Sequence, residues 1–110
     1  MDEIFESATR STGDLAGVFE HDGETCYFYL YATGGNVGKK VLDAIHVASG
    51  ELDFAEADII VRWAANEQRV GLLIKGVLWA VFDCGHRTKH GGSYRQGGKP
   101  SLPPGIEVGF

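Results

Sequence analysis

The chain has 110 residues, 44% hydrophobic and 23% charged, a size and balance that suit one globular domain with its own core and exclude wholesale disorder. Its net charge of −5 argues against a general nucleic-acid binder, because neutralising phosphates requires a basic surface. No stretch approaches the roughly 20 apolar residues that span a bilayer, and the acidic start, Met1 to Glu6, lacks the basic and apolar regions of a secretory signal. The expected setting is therefore cytoplasmic, with no membrane partner.

Glycine is the compositional outlier, at 16 residues clustered between apolar runs, which implies many turns and short strands. Ile4, Phe5 and Ala8 fit one face of a helix with Asp2 as N-cap, and fit a strand equally well. Leu15 to Glu20 reads as a strand, His21-Asp22-Gly23 as a tight loop and Glu24 to Ala32 as the return strand. That return strand alternates cleanly. Cys26, Phe28 and Leu30 take one phase and read as core, whereas Tyr27, Tyr29 and Tyr31 take the other.

Thr33 to Gly38 reads as a loop and Lys39 to Val47 as a strand, with Val41, Ile45 and Val47 opposed to Leu42, Ala44 and His46. Ser49 to Asp58 breaks the alternation and predicts a helical turn around Phe54 to Glu56. Ile59 to Trp63 is a further strand. Arg69 to Lys75 and Val77 to Asp83 form a hairpin whose Lys75-Gly76 join suits a type I′ turn. Both of these strands are apolar in both phases, which places them at the centre of a sheet covered on each face. From residue 85 to 105 the chain reads as a flexible Gly-rich loop or tail, after which Ile106 and Val108 are expected to return as an edge strand. The predicted class is thus mainly β: a single antiparallel sheet or small β-sandwich or half-barrel of about six to seven strands, with one short helical turn.

Charge is uneven along the chain. Residues 1–83 carry six Lys/Arg against 14 Asp/Glu, and residues 84–110 carry four against one. A basic, glycine-rich tail follows an acidic body.

Few residues assemble into a chemical motif. Gly34-Gly35-Asn36-Val37-Gly38-Lys39-Lys40 is superficially like a phosphate loop, but Thr33 stands where the first glycine belongs and Lys40 where Ser or Thr belongs. A hairpin connection is the expectation there. Cys84, His86 and His90, beside Asp83, are a zinc-competent set, yet there is no second ligand pair to complete a four-ligand site. His21 and His46 are too scattered to assign. Glu20, Asp22 and Glu24 straddle one loop tip as solvated carboxylates. Two cysteines, Cys26 and Cys84, are too few for a disulfide framework, and no nucleophile, base and orienter are placed together. No cofactor is expected. The tyrosine stripe offers rigid aromatic area at low entropic cost, and Tyr94 and Arg95 are residue types that anchor interfaces. A segment lying over the stripe, either the N-terminus or 49–58, is the competing expectation.

Glu20 to Tyr29 and Val41 to Val47, with Val61-Arg62-Trp63, Val70-Gly71-Leu72 and Leu78 to Asp83, resemble a family of small bacterial proteins known only as a domain of unknown function. The resemblance covers roughly residues 15–83. It implies a bacterial origin and brings no catalytic residue or cofactor; a glycine is more typical of the family where Cys26 stands. Domains of this size and composition also resemble immunity proteins that cap secreted toxins. Trp63 to Asp83 further resembles one blade of a β-propeller, but a single blade cannot close that fold.

Three functions follow as expectations. The first is a non-catalytic protein-binding module, including an immunity-type inhibitor, using Tyr27, Tyr29, Tyr31, Tyr94 and Arg95. The second is a small-ligand or metal-dependent enzyme at Cys84, His86 and His90. The third is a homodimer.

Overall fold

A computed structural model describes residues 3–33, 40–50, 52–95 and 97–110. The phosphate-loop-like stretch from Gly34 to Lys39, and Asp2, lie outside the described residues. Two antiparallel meanders follow one another in the chain. The first sheet contains β1 (Ile4–Thr9), β2 (Leu15–His21), β3 (Thr25–Ala32) and β4 (Lys40–Ser49), in that order. A 3-10 turn, Glu56–Asp58, leads to the second sheet. That sheet contains β5 (Ile59–Trp63), β6 (Arg69–Ile74), β7 (Val77–Asp83) and β8 (Thr88–Gly91).

The mainly β class is as expected, with eight strands in two sheets among the described residues rather than six or seven. The two additional strands are those with the weakest apolar signal. β1 buries only Ile4 fully, and β8 (Thr-Lys-His-Gly) carries no apolar side chain. β8 exists because Val81 and Phe82 offer a ladder opposite His90 and Lys89. It therefore occupies part of the segment expected to be a loop. Ile106 and Val108 form no strand; the segment from Pro104 to Gly109 is a run of turns, and Ile106 is buried within it.

The sheets pack face to face through the period-two residues. Phe19, Cys26, Phe28 and Val47 of the first sheet and Val70, Leu72 and Phe82 of the second are buried in one cluster. Phe28 and Phe82 meet across the interface with ring centroids 5.1 Å apart. Gly17 leaves room for the facing sheet: a Cβ there would lie 2.6 Å from Val70 Cγ2 and 3.0 Å from Val61 Cγ1. The expected turn between β6 and β7 is present, with Lys75 at φ 53° and Gly76 at φ 79°, both left-handed as a type I′ turn requires.

The two edges of the sandwich are closed differently. On the β1/β5 side, Trp63 Nε1 donates to the Ala8 carbonyl at 2.8 Å. On the β4/β8 side the chain itself crosses over. Gly92 N–H donates to Trp79 O in the second sheet, then Ser93 and Tyr94 N–H donate to His46 O and Val47 O in the first. Glycine is needed at this crossing. A Cβ on Gly91 would fall on the Trp79 carbonyl, and one on Gly92 would lie 2.6 Å from His46 O.

The outer faces differ as well. Over the second sheet, Phe110 lies so close that a Cβ on Gly71 would sit 2.9 Å from its ring. Arg69 ties down this terminal segment by donating to the Ile106 and Val108 carbonyls. The β6–β7 hairpin is therefore covered on both faces around Gly71, as its doubly apolar sequence predicts, while Val77 beside its turn is exposed.

Candidate functional site

The outer face of the first sheet is the candidate. Antiparallel partners share a face, so the register places Glu20, Val18 and Ala16 beside Tyr27, Tyr29 and Tyr31, with His46 and Ala44 on the far side. The tyrosines are half-buried. They stack along the strand, with Tyr27–Tyr29 centroids 5.6 Å apart and Tyr29–Tyr31 5.8 Å apart, and His46 meets Tyr27 edge-on at 5.3 Å. Beneath them Val18 and Ala16 are buried. Phe5, which stands opposite Glu20, extends the face to β1 and is 56% exposed.

Neither segment expected to cover the stripe does so. The N-terminal residues join the sheet as β1, and Phe54 of the 49–58 connection packs against Phe19 and Tyr94 in the core. Among the described residues, the aromatic contacts of Tyr27, Tyr29 and Tyr31 are with one another and with His46. A register shift between Leu30 and Tyr31 adds Leu42 as an extra residue on β4. It turns Val41 out of phase with Ile45, so that Val41 and Leu42 are both exposed. Burial, and then the nearby Glu20 carboxylate, raises the Tyr29 hydroxyl above its ordinary value. Asp22 lies near the same end, where its Oδ1 accepts from the Glu24 and Thr25 N–H groups at 2.9 Å; these bonds hold its carboxyl below the usual range.

Tyr94 and Arg95 are placed apart from this stripe. Tyr94 packs between Trp79 and Phe54 and donates to Asp53 Oδ1 at 2.7 Å, an anchoring role. Arg95 is exposed just beyond the crossing segment.

Cys84, His86 and His90 do not converge. Cys84 lines a cavity of about 460 Å³ with Asp43, Arg87 and Thr88. His86 lines a different one with Asn66 and Gln68, and its Nδ1 lies 2.9 Å from Asp83 Oδ2. His90 Nε2 lies 3.1 Å from Thr88 Oγ1. Among the described residues, no three His, Cys, Asp or Glu side chains gather into a group able to hold a metal ion. Burial raises the Cys84 thiol, outweighing the nearby Arg10, and pushes Cys26 up to about 11. Thiols held protonated are poor nucleophiles. Both cysteines are free.

His21 is the residue whose place the sequence left unassigned. It is 1% exposed, and among the described residues neither ring nitrogen has a hydrogen-bond partner. The usable signal was its phase: Leu15, Gly17, Phe19 and His21 all point inward from β2, although the adjacent Asp22-Gly23 turn suggests a surface position. His46, by contrast, is exposed and its Nε2 lies 2.9 Å from Ser49 Oγ.

These features define a β-sandwich domain with Phe110 over one outer face and, on the other, an aromatic stripe over which no described segment lies. The family model described as "Uncharacterized protein conserved in bacteria (DUF2251)" matches residues 2–99, and the chain belongs to that family. Comparisons with curated proteins and with solved structures yield no match. No helix among the described residues is long and apolar enough to cross a membrane.

Proposed function

We propose that this protein is a non-catalytic protein-binding module that receives its partner on the outer face of the first sheet. The observation that carries the reading is the asymmetry of the sandwich. Phe110 packs over the second sheet at Gly71, whereas no segment among the described residues lies over half-buried Tyr27, Tyr29 and Tyr31 and exposed Phe5 on the first. Stacked tyrosines are rigid and amphipathic, so little side-chain entropy is lost on docking. The carboxylates at Glu20 and Asp22 beside this stripe favour a partner with a basic rim around an apolar patch. An immunity-type inhibitor would use such a face. An enzyme at Cys84, His86 and His90 has weaker support, since these side chains are dispersed and burial raises the Cys84 thiol.

Affinity capture from bacterial lysate, run in parallel with wild type, Tyr29→Glu and Arg95→Glu, tests the reading. A stoichiometric protein retained by wild type and Arg95→Glu but lost by Tyr29→Glu supports it. Equal retention by all three, or recovery of chaperones alone, overturns it. Light scattering of wild type separates a partner from a second copy: a concentration-dependent dimer abolished by Tyr29→Glu would assign the face to self-association instead.

A further inference from the structure

Under the connection between the sheets lies a cavity of about 400 Å³ whose wall includes Glu3, Ile4, His21, Leu52, Phe54 and Glu56. Its volume falls within the range that accommodates small ligands. Ile4 and Phe54 are buried and form an apolar floor. His21 belongs to the same wall, is 1% exposed and leaves both ring nitrogens without a partner among the described residues. Such a group costs free energy unless something completes its hydrogen bonds. Glu3 and Glu56 are exposed at the cavity and, among the described residues, neither takes part in an ion pair.

We propose that this cavity is a binding site for a small organic ammonium ion with an apolar body. In its neutral form imidazole offers one acceptor nitrogen, which an ammonium N–H can satisfy. The two carboxylates supply the compensating charge, and Phe54 offers a ring for the cation and its hydrocarbon part. An anion would meet two carboxylates, and a neutral isostere would forgo their attraction. The chemistry thus selects the cation. The site is separate from the tyrosine stripe, which points out of the opposite face of the first sheet: Ile4, Cys26 and His21 are paired in the inward phase, and Tyr27 is paired with Glu20 in the outward one.

Benzylammonium is the probe, with benzyl alcohol and benzoate as neutral and anionic counterparts, followed at pH 8 by calorimetry and by NMR of the His21 ring nitrogens. Saturable benzylammonium binding that shifts those nitrogens, absent for benzoate and weaker for benzyl alcohol, is expected. Glu3→Gln and Glu56→Gln are exposed substitutions compatible with folding, and each should weaken binding about five-fold. His21→Leu should abolish binding while the chain stays folded. No saturation at tens of millimolar, equal binding of benzyl alcohol, or unchanged affinity in both glutamine variants overturns the proposal. Tyr29→Glu should leave benzylammonium binding intact, so the failure of one proposal is distinguishable from the failure of the other.

Discussion

The Tyr94 hydroxyl donates to Asp53 Oδ1 at 2.7 Å while its ring stands 4.7 Å from that of Trp79. One side chain thereby joins the crossing segment, the inter-sheet connection and β7. Tyr94→Ala should cost about 2–4 kcal/mol, the range for truncating a well-packed large side chain, and Tyr94→Phe markedly less because the ring remains. Urea unfolding of the three proteins checks this.

The same residue sets an alkaline limit. Burial, then the bond to Asp53, pushes Tyr94 from 10.0 up to about 12. The folded state therefore favours the neutral phenol, a contribution fully present below pH 10 and lost as pH rises toward about 12. Denaturation midpoints between those two values should fall more steeply for wild type than for Tyr94→Phe.

At the acid end the sign reverses. Burial acts to raise Asp83, but its hydrogen bonds with the His86 side chain and backbone outweigh burial and hold it low. Lys89 lowers Asp43, and Ser11 lowers Glu67. Carboxylates depressed in the folded state stabilise it above their ordinary values, and that stability disappears as pH falls through their folded values. Urea midpoints measured from pH 6 downward should hold until near pH 4 and then drop. Asp83→Asn should show a shallower decline.

Close approach without a Cβ makes two glycines sensitive for different reasons. Gly17→Ala would press on the Val70 and Val61 methyls, which can yield, and should cost about 1–3 kcal/mol. Gly91→Ala would press on the Trp79 carbonyl from a backbone at φ 87°, with nothing flexible to give, and should cost more. Thermal melts of both variants rank them, and a milder Gly91→Ala would contradict the crossing geometry.

The cysteines should differ in reactivity. Cys26 is fully buried, with Sγ 3.5 Å from the Ala48 carbonyl, whereas Cys84 is half-buried beside a cavity. A thiol-specific reagent at neutral pH should label Cys84 slowly and Cys26 only on unfolding. Mass spectrometry of partly labelled protein locates the adduct.

Where burial follows a strict alternation, the strands were legible from residues alone. Cys26 and Phe28 against Tyr27 and Tyr29 specify β3, and the Lys75-Gly76 turn specifies the β6–β7 hairpin. β8 was not legible, because a strand held mainly by backbone bonds to β7 and by Lys89 reaching Asp43 leaves no apolar trace. Val41 was placed in the wrong phase because a one-residue bulge is invisible to a period-two count. The tyrosine stripe could be seen in the sequence, but that nothing described lies over it could not. That depends on Phe54 turning into the core and the N-terminal residues entering the sheet edge. His21 stayed unassigned because a polar side chain beside a turn is ordinarily solvated.

Each sheet is made wholly of strands adjacent in the chain, β1 to β4 and then β5 to β8, and the backbone returns from one to the other at Gly92 to Tyr94. Residues 3–50 and 52–110 are thus natural complementing fragments: each carries a full meander, and neither can shelter its inner face alone. Reassembly from two separately expressed halves would rest on the shared core, with Phe28 against Phe82, and would be held at one edge by Trp63 on Ala8 and at the other by Ser93 and Tyr94 on His46 and Val47.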